Sequence, residues 1–213
     1  MNKYDHIIWD WNGTIIDDAD LCVDIVNELL SKNSLDLVRK SFYQENFVFP
    51  VCEYYSKIGL ASAGVGFDKV SKYFITEYRK RYHNCSLHDN ITALLETFKN
   101  RGINHSVLSA GCQNDIDNFI KSQKLDPIFD FSTGVRNTDA SGKVEIADIH
   151  RLKIFYPNNK ILLIGDTVHD YEVASHLGID VVLFSGGHNS RDRLLNCNTI
   201  VIDNFEELNW VLD

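Results

Sequence analysis

From His88 onward the sequence alternates helical periodicity with short apolar, β-prone runs, and this alternation is its strongest constraint on fold. Helices are predicted over 90–100, 114–123, 144–155, 168–177 and 191–195, with a closing helix after Asn204. Strands are predicted over 104–109, 129–133, 160–165, 180–184 and 199–202. Gly102 suits a helix C-cap after the first of these helices. Such a βα succession predicts a mainly parallel sheet with helices on both faces. One more strand, over 4–9, stands apart at the N-terminus. Between it and the βα series the spacing is helical only, as in Leu21, Ile25, Leu29 and again Phe74, Tyr78, Tyr82. The reading is an α/β fold with a doubly wound, mainly parallel sheet and a helical module inserted after the first strand. Residues 1–17 and 87–213 form the core and 18–86 the insertion, which can act as a lid.

A chain of 213 residues suffices for one well-cored domain plus a modest insertion. A net charge of −9 repels polyanions, so no nucleic-acid or anionic-membrane partner is expected, and an anionic substrate needs locally placed cations. The five cysteines, Cys22, Cys52, Cys85, Cys112 and Cys197, lack a C-x-x-C pair, and an odd number suits packing roles in a reducing compartment. The N-terminal apolar run is broken by Asp10 and lacks the apolar length of a signal peptide, so the expectation is a cytoplasmic protein. Oligomeric state is not readable from the sequence.

Three predicted parallel strands end at Asp10, Ser109 and Asp166, in the contexts IIWDWNGTIID, HSVLSAG and ILLIGDTVHD. In a doubly wound sheet the carboxyl ends of the strands line one crevice, so these side chains converge. Taken together, the motifs resemble the haloacid dehalogenase superfamily, whose members share a strand-end D-x-D-G-T, a strand-end Ser or Thr, a later Lys and an acidic G-D-x-x-x-D. The helical segment matches the position and size of that superfamily's inserted cap, and the overall plan is similar to its phosphoglycolate phosphatase-like branch.

That resemblance implies a phosphoryl-transfer enzyme acting on a small phosphorylated metabolite with Mg²⁺ as cofactor. Asp10 is the candidate nucleophile, since a carboxylate can attack phosphorus and split one displacement into formation and hydrolysis of an aspartyl-phosphate. Asp10, the backbone carbonyl of Asn12, Asp166 and Asp170 are the candidate metal ligands, Asp170 binding directly or orienting its neighbours. Both late aspartates could instead cap the helix beginning near Val168, and capping and metal binding can coexist. Ser109, the backbone N–H of Ala110 and Thr14 are the candidate substrate binders. Gly13 permits the tight turn between Asn12 and Thr14. Lys143, in SGKVEIA, is the candidate charge-neutralising lysine, with Lys153 as competitor. His169 and His188 are placed to line the crevice, with ordinary helix-start and loop positions as the plainer alternatives. Trp9 and Trp11 are expected to shape its wall.

The sequence departs from the family pattern at position 12, where the phosphatases usually carry a second aspartate that protonates the leaving oxygen and activates water. Asn12 cannot exchange a proton that way, and general acid–base catalysis typically contributes about 10²–10⁴-fold. Slow turnover favouring good leaving groups is expected, unless His169, His188 or a residue of the insertion replaces the acid. Two alternatives stay open: a weakly active or inactive phospholigand-binding regulatory protein, and a 2-haloacid dehalogenase working through an Asp10 ester.

Overall fold

The structure is a computed structural model and describes residues 2–135 and 143–209. Six strands form one all-parallel sheet: β1 (His6–Trp9), β2 (Asn104–Cys112), β3 (Phe131–Val135), β4 (Ile161–Gly165), β5 (Asp180–Phe184) and β6 (Ile200–Ile202). Their order across the sheet is β3-β2-β1-β4-β5-β6. The predicted doubly wound parallel sheet is therefore present, and the winding reverses beside β1, between β2 and β4. A crevice opens there, outside the carboxyl ends of the strands.

β1 is buried on both faces because every position of His6-Ile7-Ile8-Trp9 faces one of two apolar layers. Ile7 and Trp9 join a cluster that includes Leu162, Ile164, Phe98 and much of the helical segment, while Ile8 joins Leu163, Ala147 and Val173 on the other side. The period-2 alternation of strand side chains divides the core in this way.

Between β1 and β2 the chain forms α1 (Ala19–Lys32), α2 (Lys40–Asn46), α3 (Val51–Lys57) and α4 (Phe67–Arg81), a 3₁₀ turn at Tyr82–Asn84, and then α5 (Ile91–Asn100), which packs on the core. Among the described residues 18–86 there is no strand. The two ends of this segment run side by side: Asp17 N–H donates to Ser86 O at 2.9 Å and His88 N–H to Ile15 O at 3.1 Å. The helices thus leave and rejoin the core through one narrow ribbon. After β2 come α6 (Gln113–Ser122), α7 (Val144–Arg151), α8 (Val168–Leu177) and α9 (Arg191–Leu195).

Three elements differ from the expectation. β2 continues past Ser109 to Cys112 through a register shift, so Ser109 lies inside an irregular strand rather than at its end. Gly134 permits this, since a Cβ there would come within 2.6 Å of Gly111 O and 2.8 Å of Gln113 N. α7 stops at Arg151, four residues early, because the Arg151 guanidinium draws the chain back by donating to Ile154 O and Tyr156 O, both at 2.8 Å. The closing helix starts as a 3₁₀ turn, Phe205–Glu207, capped by Asn204 and Glu207, and its end lies outside the described residues. So do Ser141 and Gly142 of the SGKVEIA run. All five cysteines are free. Among the described residues no helix is long and apolar enough to cross a membrane.

Candidate active site

The last ladder residue of β1, Trp9, hands the chain to Asp10, whose N–H donates to Ile164 O of β4 at 2.9 Å. This bond pins Asp10 at the reversal point. The chain then turns tightly, with Ile15 N–H and Ile16 N–H returning to Trp11 O at 2.9 and 3.1 Å. Gly13 takes φ +75°, and a Cβ at that position would collide with the Asp166 carboxylate and the His188 ring. The loop after β1 is thereby pressed against the loops after β4 and β5.

Asp166 and Asp170 arrive on the β4–α8 connection. Thr167 caps α8, its hydroxyl accepting from Asp170 N–H, and Asp170 Oδ2 accepts in return from Thr167 N–H at 2.9 Å and Asp166 N–H at 3.2 Å. Asp170 caps with one oxygen and presents the other, Oδ1, to Lys143 Nζ at 2.5 Å. The same ammonium lies 2.8 Å from Asp10 Oδ1. Capping and site-facing roles therefore coexist in one carboxylate, as the G-D-x-x-x-D spacing allows.

Asp10, Asp166 and Asp170 are all buried, and each offers an oxygen within 4.8 Å of the others. Burial pushes the Asp10 carboxyl up to about 8; Lys143 opposes the shift, and Asp170 and Asp166 add to it. Burial likewise pushes Asp166 up to about 6, against the pull of His188. Burial raises the Asp170 carboxyl, but Lys143, with Thr167 and His169 adding to it, holds the group below the usual carboxylate range. Lys143 shows the reciprocal effect: burial disfavours its charge, but Asp10 and Asp170 hold it protonated. Asp10 and Asp170 thus share one ammonium, while Asp166 is held by the His188 N–H and the Thr14 hydroxyl. A hard, all-oxygen donor set with surplus negative charge fits a divalent cation.

Beside this cluster lies a second buried group. Asp18 Oδ1 accepts from Gly13 N–H at 2.8 Å and pairs with His188 Nε2 at 3.3 Å; Oδ2 accepts from Asn12 Nδ2 and from Tyr78 Oη, both at 2.7 Å. Burial disfavours a charged His188, but Asp18, with Asp166 and Asp10 behind it, raises its pKa to about 9. His188 Nδ1 meets Tyr43 Oη of α2 at 3.0 Å, and its backbone N–H donates to Asp166 Oδ2 at 2.6 Å. His188 therefore ties the helical segment to the acidic cluster.

Ser109 and Ala110 line the same cavity as Asp10 and Asn12, and Ser109 Oγ accepts from Gly111 N–H at 3.0 Å. Thr14 is fully buried and spends its hydroxyl proton on Asp166 Oδ1 at 2.7 Å, so its side chain braces a carboxylate. His169 accepts from Lys143 N–H at 2.9 Å and stacks near Phe49, supporting the lysine from behind. Lys153 bonds Thr133 Oγ1 at 3.1 Å and lies over the Phe131 ring. Trp9 and Trp11 are buried in the apolar core, and neither is among the cavity's lining residues, so the expectation that they shape its wall is not met. Sequence reasoning missed Asp18 and Tyr78 as site residues. Asp18 carried a signal, a second acid at the end of the turn after Asp10; Tyr78 carried none beyond its helical spacing.

The haloacid dehalogenase-like hydrolase family matches residues 7–184 of the chain. No curated protein matches its sequence. Among solved structures, a protein from Clostridium acetobutylicum described as a predicted phosphatase superposes with a TM-score of 0.78 at 17% identity, over 97% of each chain. A predicted phosphoglycolate phosphatase from Haemophilus somnus gives 0.77 at 17% identity over 99% of each chain. Protein tyrosine kinase A of Mycobacterium tuberculosis gives 0.79 at 19% identity over 98% of each. At these identities the superpositions establish a shared fold, whereas the family match covers the segment that carries Asp10, Ser109, Lys143, Asp166 and Asp170 in order. The chain belongs to the haloacid dehalogenase-like hydrolase family.

Proposed function

We propose that this hydrolase is a Mg²⁺-dependent phosphomonoester hydrolase of small phosphorylated metabolites, working in the cytoplasm through an aspartyl-phosphate on Asp10. The observation that carries the reading is Lys143, whose ammonium sits 2.8 Å from Asp10 and 2.5 Å from Asp170 at the reversal point of the sheet. A lysine so placed holds Asp10 in a fixed orientation and offsets charge as an anionic phosphoryl group approaches an anionic nucleophile. Ser109 Oγ and the Ala110 N–H bind phosphoryl oxygens. Asp10, Asp166 and the carbonyl of Asn12 would hold the ion, with Asp170 beside them; when bound, it neutralises charge between nucleophile and substrate. Thr14 and the His188 N–H orient Asp166 for that task.

Residues 18–86 act as a cap whose aromatic inner face excludes water from the nucleophile. The five free cysteines are consistent with a reducing compartment. Asn12 offers no proton to the leaving oxygen, so turnover is slow for alkyl esters and faster for esters of acidic alcohols. The retained acidic pair, which an ester-forming dehalogenase does not require, argues against carbon–halogen hydrolysis. The test is phosphate release by the purified protein with Mg²⁺ or EDTA, alongside Asp10→Ala. Release that needs Mg²⁺ and disappears in Asp10→Ala supports the reading, and release that persists in Asp10→Ala refutes it. Tight phosphonate binding without any release would favour a phospholigand-binding protein, the reading that Asn12 keeps in play.

A further inference from the structure

The cavity that opens on Asp10 has a volume of about 190 Å³, room for one aromatic ring beside a phosphoryl group. Its far wall is aromatic: Phe47 and Phe49 after α2, Tyr54 on α3, Phe74 and Tyr78 on α4, and Phe119 on α6. Phe47 meets Phe49 and Tyr54 edge-on, with centroids 5.3 and 5.7 Å apart, while Phe74 and Tyr78 stack at 6.0 Å. Offset and edge-on rings of this kind accept another ring in the same geometries.

The cations along the cavity are already matched. Lys143 is held by Asp10 and Asp170, and His188 by Asp18. Arg79, at the outer edge, is clamped by Asp115, with Nη2 at 2.7 Å and Nε at 3.0 Å. Among the described residues no cation of the lining is left for a carboxylate on the leaving group, and burying an unpaired carboxylate against aromatic rings is costly. Position 12 independently narrows the choice in the same direction. With Asn12 unable to donate a proton, the leaving group departs readily only if its anion is stable, and a phenol, with a pKa near about 10, meets that demand where an alkanol does not.

We infer that the site takes aryl phosphate monoesters whose ring carries no charge. The inference rests on the phosphatase reading above. An Asp10 carboxylate oxygen forms a bond to phosphorus as the phosphorus–aryloxy bond breaks, and the electron pair leaves on a phenolate that needs no protonation by the enzyme. Water then attacks phosphorus, the bond to Asp10 breaks to regenerate the carboxylate, and the proton lost by water passes to solvent with inorganic phosphate.

The experiment compares two non-hydrolysable probes by calorimetry on the 213-residue protein with Mg²⁺. Benzylphosphonate replaces the ester oxygen of phenyl phosphate by a methylene, and 3-phosphonopropionate does the same for phosphoglycolate. Benzylphosphonate is expected to bind tighter by about tenfold or more, in line with one aromatic contact. Phe74→Ala, or Phe74→Leu if that variant folds poorly, lowers benzylphosphonate affinity and leaves 3-phosphonopropionate unchanged. Asp115→Asn frees Arg79 and raises the affinity for 3-phosphonopropionate. Equal or tighter binding of 3-phosphonopropionate by the wild type, or binding of neither probe, overturns the substrate class. Turnover of phenyl phosphate and phosphoglycolate, run in parallel with Asp10→Ala, separates the two failures. If both esters are hydrolysed in an Asp10-dependent way with phosphoglycolate preferred, the phosphatase reading stands and the aryl preference falls. If release survives Asp10→Ala, the phosphatase reading falls instead.

Discussion

Asn12 donates its Nδ2 to Asp18 Oδ2 at 2.7 Å, with the Tyr78 hydroxyl bridging the two: it accepts from Asn12 and donates to Asp18, again at 2.7 Å in each case. Burial pushes the Asp18 carboxyl up, but His188 and the donors from Asn12 and Tyr78 outweigh it and hold the group below the usual carboxylate range. The amide at position 12 is therefore a required donor to a buried carboxylate. The departure from the family pattern has a structural counterpart: the acid near position 12 is Asp18, and an amide faces it.

Asn12→Asp should consequently do more than restore an acid. It removes a donor from Asp18 and sets two carboxylates at hydrogen-bonding distance, so one must be protonated or the pair repels. The expected cost is about 2–4 kcal/mol of stability at neutral pH. Asn12→Asp/Asp18→Asn, which keeps one carboxylate and one amide, should recover most of it. Urea unfolding of the four proteins in this cycle checks the coupling, and additive losses would show that the two side chains do not depend on each other.

Lys143→Met leaves Asp10 and Asp170 buried without their shared cation, and phosphate release should fall by at least about 10²-fold. Lys153→Met removes only a bond to Thr133 and a contact with Phe131, so release should stay within about threefold of the parent. Measuring kcat for both variants tests the choice of Lys143 over Lys153.

That pair illustrates how much of the molecule is legible from sequence. The order of strands and helices followed from apolar periodicity, and the convergence of Asp10, Ser109 and Asp166 followed from the rule for carboxyl ends of parallel strands. Both are local signals read through a general topology. The role of Thr14 was not legible: a threonine after Asp10 points toward substrate or toward Asp166 according to the approach of the β4–α8 loop, which is tertiary. Asp18 and Tyr78 lie 60 residues apart and meet only because α4 folds back over the loop after β1. The extension of β2 past Ser109 depended on the absence of a side chain at Gly134, on a different strand.

A divalent ion that binds the folded cluster and not the unfolded chain stabilises the fold by mass action. At about 100 times its dissociation constant, Mg²⁺ should add about 2.7 kcal/mol, read as a higher melting temperature than in EDTA. Asp166→Asn should remove most of that gain while Lys153→Met keeps it. A melting temperature indifferent to Mg²⁺ in the parent would remove the ion from the site.

Acid stability should be governed in part by three buried histidines outside the cavity lining, His6 on β1, His105 on β2 and His150 on α7. His6 Nε2 and His150 Nε2 both meet Ser106 Oγ, at 2.8 and 2.9 Å, and His105 Nδ1 accepts from Trp9 Nε1 at 2.9 Å. Burial, the largest cause for each, lowers His6 to about 4 and both His105 and His150 to about 3; Arg151 adds to it for His6, and His6 adds to it for the other two. An unfolded histidine titrates near 6.5, so over the window from about pH 6.5 down to pH 4 the unfolded chain binds protons that the folded protein refuses. Stability then falls as pH falls, by about 1.4 kcal/mol per pH unit for each such histidine. The raised carboxyls of Asp10 and Asp166 act in the opposite sense, so the informative quantity is a difference between proteins. His105→Gln, whose amide oxygen can still accept from Trp9, should flatten the slope of unfolding free energy against pH by about one proton between pH 6 and 4. Urea unfolding across that window measures it, and an unchanged slope would mean that His105 is protonated in the folded protein.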